Sequence, residues 1–476
     1  MNSIKAHSPF FAFIALVAII RLLLAPHLGL GADEAHYVIY ALNLDWSYYD
    51  HPPLVGWVQY IFTSIFGLNE FGARVSAISI GFFTSIFIYF LIFQIDKDSK
   101  RSFIAILALH ASFLFNALFL MTMPDTLLFL LIIPIIYSVI AIEEKGSNRS
   151  WLMLGLFLGL AGLAKYTAIL FLIPIILYFI IRRRFDILFS PNIIPSAFLA
   201  LLIVSPVIYW NIQTDFASLI YQSNHVVGAS SINWNGFTTS LVGQFIAYNP
   251  FLFPLAFFGL YKSLRSKNSY LFLSALFGLV LFSFFTYSAL YKTALPHWSA
   301  LFYMLFIPIG VYYFYELSKG YKKYLKIGIG FGLIVSALIY IEVATKIIPL
   351  PDENSLQIDI YGFENILKEA NGAIKDGESL AVTHWTLASR AIFYNDKYRS
   401  KMFLIDSRDD QFDIWEKSSP IGKDLIVIDI NFLHKNVNNY MKCDKVEKLK
   451  SFNVTLDKSK PNTIELVKCT NFQGLK

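Results

Sequence analysis

Of the chain's 476 residues, 56% are hydrophobic and only 15% are charged, well below the roughly 25% charged residues of a soluble domain. A mean hydropathy of +0.55 and repeated apolar runs of about 17–22 residues, each able to cross a bilayer core of about 30 Å, predict a polytopic α-helical membrane protein. The net charge of +6 follows the topology of the loops, so the lipid bilayer is an expected partner and nucleic acid is not.

The first apolar run, near 8–28, is followed by no small-residue cleavage site and reads as a transmembrane helix rather than a signal peptide. Arg21 within it is expensive in lipid and is expected to face protein or a polar cavity. Residues 29–71 then bring together Asp33, Glu34, His36, Asp50 and His51, the densest group of acids and histidines in the membrane-embedded part. Tyr37, Tyr40, Ala41 and Leu44 share one helical face after Glu34, and a second amphipathic segment opens at Pro52-Pro53. Both read as interfacial helices, with an acid at the entrance of each. Asp33 and Asp50 would also serve as helix N-terminal acids, which leaves Glu34, His36 and His51 without a purpose.

Further spans are expected near 72–94, 102–120, 125–142, 151–164, 167–181, 192–210, 245–260, 270–290, 298–315 and 326–345, about eleven in all. Lys97, Lys100 and Arg101, then Arg182 to Arg184, then Lys262 and Arg265, recur in alternate loops, which marks that side as cytoplasmic. The N-terminus is then inside, and both the 29–71 loop and the tail lie outside a bacterial cytoplasmic (inner) membrane. Residues 1–345 form the expected membrane domain, and 346–476 a small extracytoplasmic α/β domain. Its predicted elements are strands at 379–383, 402–405, 425–428 and 463–468, and a helix at 385–394. Cys443 and Cys469 could pair in an oxidising compartment or stand as two thiols.

Other polar residues fall at the same outer ends. Asp125 opens an apolar helix, Lys165 sits between two spans, and Lys292 and His297 flank another junction. Each has a plainer account: a cap for Asp125, snorkelling for Lys165, an interfacial aromatic belt around His297. Together they suggest more. Carboxylates hold a divalent cation or take a proton, while lysine and histidine neutralise a departing phosphate.

The series Asp33-Glu34-x-x-Tyr37, Asp50-His51-Pro52-Pro53-Leu54 and Pro124-Asp125-Thr126 resembles the polyprenyl-phosphate-dependent glycosyltransferases of the GT-C fold. More narrowly, it is similar to the bacterial protein O-mannosyltransferases and lipid A aminoarabinose transferases of glycosyltransferase families 39 and 83. Gly159-Leu160-x-x-Leu163-x-Lys165-Tyr166-Thr167, Pro296-His297-Trp298, Tyr361-Gly362-Phe363 and Ala388-Ser389-Arg390 also resemble family patterns. The resemblance implies inverting transfer of a sugar from a polyprenyl-phosphate donor to a glycolipid or lipopolysaccharide acceptor, or to a protein hydroxyl. It implies Asp33 as base, supported by Glu34 and Asp125. Lys165, Lys292, His297, His36 and His51 would be donor-phosphate contacts. A divalent cation (Mg, Mn or Zn) would rest on Asp33, Asp50 and Asp125. His51 and His36 stand where the aminoarabinose transferases carry a lysine and an arginine, so the phosphate clamp is expected to differ. A transporter or flippase of lipid-linked sugars is the competing class. It should show repeated halves and midplane charges, and the sequence has neither.

Overall fold

A computed structural model describes residues 2–227, 231–345, 360, 362–395, 398, 401–415, 418–430, 437–454 and 462–476. The first part is helical: α1 (Asn2–Leu24), α2 (Ala32–Tyr40), α3 (Leu54–Phe66), α4 (Glu70–Phe93), α5 (Ser99–His110), α6 (Phe113–Leu118), α7 (Pro124–Lys145) and α8 (Asn148–Ala164). A 3-10 segment (Tyr166–Phe171) runs into α9 (Leu172–Ile181), followed by α10 (Phe185–Leu188), α11 (Ile193–Gln213), α12 (Ala217–Val227), α13 (Trp234–Ala247), α14 (Phe253–Leu264) and α15 (Ser269–Ala289). A 3-10 turn (Pro296–Ser299) leads into α16 (Ala300–Tyr315), and α17 (Lys319–Thr345) follows. The remainder is α18 (Phe363–Ala373), β1 (Ser379–Val382), α19 (Trp385–Tyr394), β2 (Met402–Leu404), α20 (Gln411–Trp415), β3 (Leu425–Ile430), α21 (Val437–Tyr440), β4 (Met441–Val454) and β5 (Asn462–Leu475).

Among the described residues seven helices are long and apolar enough to cross a membrane, with shorter apolar helices beside them. The predicted spans fall on helices, but two of them are interrupted: 102–120 is split between α5, which ends at His110, and α6, which begins at Phe113. The expected span 245–260 is also broken, because α13 ends at Ala247 and α14 begins at Phe253. Asn249 sits between them at φ 67 and donates from Nδ2 to the carbonyls of Ala111 and Gly328, 3.0 Å each. A buried asparagine in the left-handed region fixes the break, while the apolar residues around it keep the hydropathy continuous.

The chain divides into two compact units, one of residues 1–22, 45–55 and 74–338, the other of 23–44, 56–73 and 339–476. Most of the 29–71 loop falls in the unit that contains the C-terminal residues. The expected boundary at 345/346 adjoins 346–359, which lie outside the described residues, as does Tyr361.

In the first unit α8 packs on α11 and on α7, and α16 on α5 and α14. A Cβ on Gly155 would lie 2.3 Å from the Ser196 carbonyl oxygen, and one on Gly159 2.8 Å from Ile203. Only glycine lets these two helices approach so closely. Arg21 is buried as expected, donating from Nη2 to Asn116 Oδ1 at 3.0 Å, with His110 Nδ1 at 3.5 Å and the Phe119 ring beneath it. The basic loops carry ion pairs: Arg101 with Asp96, Asp98 and Glu316, and Arg182 with Glu143 at 3.1 Å.

The second unit is built on a sheet of order β2-β1-β3-β5-β4. Strand β1 runs parallel to β2 and β3, and β5 pairs antiparallel with β3 and β4. The strands and helix predicted for the tail are present, and Cys443 and Cys469 form a disulfide between β4 and β5. Leu380, Val382, Ile428 and Leu466 of the sheet pack with Ala388 and Ile392 of α19, and Ala35, Val38 and Ile39 of α2 join the same core.

Candidate active site

In the first unit the geometry is organised by Asp125. Pro124 opens α7, a position where its missing N–H costs nothing. The Met123 N–H is taken by Thr126 Oγ1 at 3.0 Å, so the turn is closed without the aspartate. The Asp125 carboxylate instead meets Lys165 Nζ at 2.6 Å, with the two side chains only 10% and 12% exposed. Lys165 follows the last residue of α8 in extended conformation (φ −155, ψ 138), and its ammonium also lies 6.0 Å from the centre of the Phe285 ring. Neither capping nor snorkelling accounts for a pair buried to this degree.

His297 stands in the turn before α16, where the charges of Asp125 and Lys165 reach it. Tyr248 donates to the Pro296 carbonyl (2.8 Å), and Ser299 Oγ and Tyr303 OH converge on Gln244 Oε1 at 2.7 and 3.0 Å. The histidine is thus carried on a turn held by its neighbours on both sides. Glu143, partner of Arg182, is near the far end of α7. Twenty-two helical residues at about 1.5 Å each put roughly a bilayer thickness between Asp125 and that basic end.

Asp50 and His51 lie on a loop in the same unit. The Asp50 carbonyl accepts from Gln222 Nε2 at 2.5 Å, the His51 carbonyl accepts from the Tyr48 N–H at 3.0 Å, and the rings of Tyr49 and Tyr221 are 4.9 Å apart. Lys292, expected beside the phosphate, donates to the Asn224 carbonyl in α12.

Helix α2 of the second unit carries Asp33, Glu34 and His36. Glu34 is 1% exposed, and its Oε2 accepts from the Gly31 N–H at 3.2 Å, the N-terminal capping contact expected of a residue three places into a helix. The capping contact read from sequence for Asp33 is made by Glu34. Asp33, one residue earlier, is half-buried. His36 is buried, with Nδ1 3.0 Å from Ser389 Oγ, Nε2 3.1 Å from Tyr40 OH, and Trp385 and Phe412 against its ring. With both nitrogens engaged in the core, it does not offer the phosphate contact expected of it.

The tail motif Ala388-Ser389-Arg390 now has a physical meaning. Ser389 holds His36, and fully buried Arg390 donates from Nε to the Leu30 carbonyl (3.3 Å) with its guanidinium 3.9 Å from the centre of the Phe363 ring. Together they fix the start of α2. Arg390→Ala is expected to cost about 2–4 kcal/mol through the lost charged hydrogen bond and the cavity left behind. Thermal unfolding checks the cost, and faster amide exchange over α2 checks its location.

Asp410 is a residue that nothing in the local sequence pattern singles out. It is 6% exposed, its Oδ1 accepts from the Phe412 N–H at 2.7 Å, and its Oδ2 has no hydrogen-bond partner among the described residues. Burial pushes its carboxyl up to about 7, opposed by the Phe412 N–H and His36 and reinforced by Asp406 and Asp413. A carboxyl raised on folding lends stability at pH below its unfolded value of about 4 and loses it as pH rises through about 7. Asp410→Asn keeps the helix cap without that titration. Its stability relative to wild type is expected to climb by on the order of 4 kcal/mol between pH 4 and pH 8. Parallel stability–pH curves for the two proteins would refute this.

Among the described residues no group of three or more His, Cys, Asp or Glu side chains is placed to hold a metal ion. Asp125 already faces an ammonium.

Residues 50–210 match the family described as dolichyl-phosphate-mannose-protein mannosyltransferase, a range that includes Asp50, His51, Asp125 and Lys165. The lipid A galacturonosyltransferase RgtD of Rhizobium johnstonii is 24% identical over 246 residues, and the chain spans about half the length of that relative (50% of each chain). ArnT from Cupriavidus metallidurans, solved with undecaprenyl phosphate bound, matches with a TM-score of 0.65 at 14% identity over 96% of this chain and 97% of its own. Its apo structure gives the same TM-score over 98% of both chains. A match of that quality from end to end establishes that the chain has the GT-C fold of ArnT, the fold its motifs predict.

Proposed function

We propose that the protein is an inverting glycosyltransferase of the cytoplasmic membrane that moves a sugar from a polyprenyl-phosphate donor to a lipid A-type glycolipid at the outer face. The observation that carries this reading is the buried Asp125–Lys165 pair, whose charges reach His297, at the opposite end of α7 from the basic loops. It supplies a preorganised cation where charge develops on a leaving phosphate. The names of the relatives support the donor and acceptor classes: one is a lipid A transferase, and another was solved with undecaprenyl phosphate.

In this reading Lys165, with Asp125 holding its ammonium in place, neutralises the phosphate as the glycosidic bond breaks, and His297 contributes a further donor. Asp33 takes the proton of the acceptor hydroxyl as that oxygen bonds to the sugar. The basic loops face the cytoplasm and the C-terminal unit lies outside, in keeping with its disulfide. Lys165 and His297 carry the charge neutralisation, so dialysis against EDTA is expected to leave transfer unchanged. A loss restored by Mg²⁺ would return a metal to the mechanism.

The direct test is mass spectrometry of lipid A and envelope proteins from cells with and without the gene. A sugar lost from lipid A supports the proposal, and an unchanged lipid A profile sinks the acceptor assignment. The family description matched by 50–210 favours a protein hydroxyl as the second reading. In that case the same experiment finds the missing sugar on protein.

A further inference from the structure

Lys165 is followed by Tyr166, whose phenol is the hub of a buried polar cluster. Its oxygen lies 2.6 Å from Ser218 Oγ and 3.2 Å from Ser47 Oγ, and accepts from Asn211 Nδ2 at 3.4 Å. Ser218 Oγ donates to Asn211 Oδ1 at 2.8 Å. With its own proton committed there, Ser218 must accept the phenol proton, which leaves Tyr166 accepting from Asn211 and free to accept from Ser47. Ser47 and Ser218 are fully buried, and Asn211 is 2% exposed.

The cluster joins three pieces of chain that sequence leaves apart: the 45–51 loop, the segment that begins with Lys165, and α11 with α12. Two more tethers run from the same helices to the same loop. Trp210 Nε1 donates to Asp45 Oδ2 at 3.1 Å, and Gln222 Nε2 to the Asp50 carbonyl. The turn that brings α12 back is strained, with Asp215 at φ 50 and Phe216 at φ 61. Consecutive non-glycine residues in the left-handed region are costly and persist where surrounding contacts enforce them.

We propose that Tyr166 is a positioning residue that locks the 45–51 loop, and with it Asp50 and His51, in register with Lys165. The proposal rests on the reading of Lys165 as the donor-phosphate contact. Tyr166 does not touch the reacting atoms. It sets where the loop stands when they react, so its loss affects turnover more than donor binding.

The test uses the full-length protein in nanodiscs, with Tyr166→Phe compared to wild type. Amide exchange over 45–51 is expected to rise about tenfold or more, because a hub of buried hydrogen bonds is lost. The affinity for undecaprenyl phosphate, the probe for the clamp, should stay within about threefold while kcat for transfer falls about 10- to 100-fold, the signature of lost orientation. Ser218→Ala, which removes the acceptor of the phenol proton, should shift both readouts in the same direction by less, and it serves if Tyr166→Phe does not fold. Unchanged exchange over 45–51 overturns the clamp. Raised exchange with full kcat shows a hydroxyl that only stabilises the fold, and overturns the link to catalysis. Wild-type protein that fails to bind undecaprenyl phosphate refutes the phosphate reading instead, and the exchange measurement still decides the clamp.

Discussion

With Asp33 proposed as the base, Asp33→Asn is expected to lower sugar transfer by about 10²- to 10⁴-fold, the usual contribution of a general base, and to leave the protein folded and inserted. The substitution keeps the shape of the side chain, and asparagine is tolerated near a helix start. Glu34 provides the contrast. Its Oε2 caps the Gly31 N–H from within the core, so Glu34→Gln is expected to act mainly on stability, by about 1 kcal/mol. Measuring transfer and thermal unfolding on both variants separates the roles of these adjacent acids. Asp33→Asn with wild-type turnover would remove Asp33 from the mechanism. Glu34→Gln with wild-type stability but no turnover would reverse the assignment.

Those adjacent acids show where sequence reading stops. Composition, loop charge and motifs sufficed for the membrane class, the order of the helices and the fold, because hydropathy and glycine–proline punctuation act locally. They also marked Asp125 and Lys165, whose pairing depends on a hairpin of α7 and α8 that local pattern already suggested. What could not be read depended on distant partners. His36 looked like a phosphate ligand until Ser389 occupied its ring from 353 positions away. Strand β4 has no counterpart among the predicted strands, because its lysines at 442, 445, 448 and 450 break the apolar alternation that marks a strand. It is an edge strand, where lysine deters pairing with other chains, and Lys445, Lys448 and Lys450 are paired with Glu447, Glu465 and Glu369.

The second large effect is expected at the Asp125–Lys165 pair, where stability and activity should part company. Lys165→Met keeps the length of the side chain but leaves Asp125 as a buried, unneutralised carboxylate, which costs about 3–5 kcal/mol. Transfer falls about 10²- to 10³-fold, because a preorganised cation is lost from the leaving phosphate. Asp125→Asn leaves the ammonium in place but loosens its orientation, so its loss of transfer should be smaller. The informative protein is the double variant. A neutral amide at position 125 needs no counter-charge, so Lys165→Met/Asp125→Asn should recover most of the stability lost in Lys165→Met. Its transfer should stay at the level of Lys165→Met alone, since the cation is still missing. A double variant that regains activity together with stability would mean that the pair is only a structural ion pair.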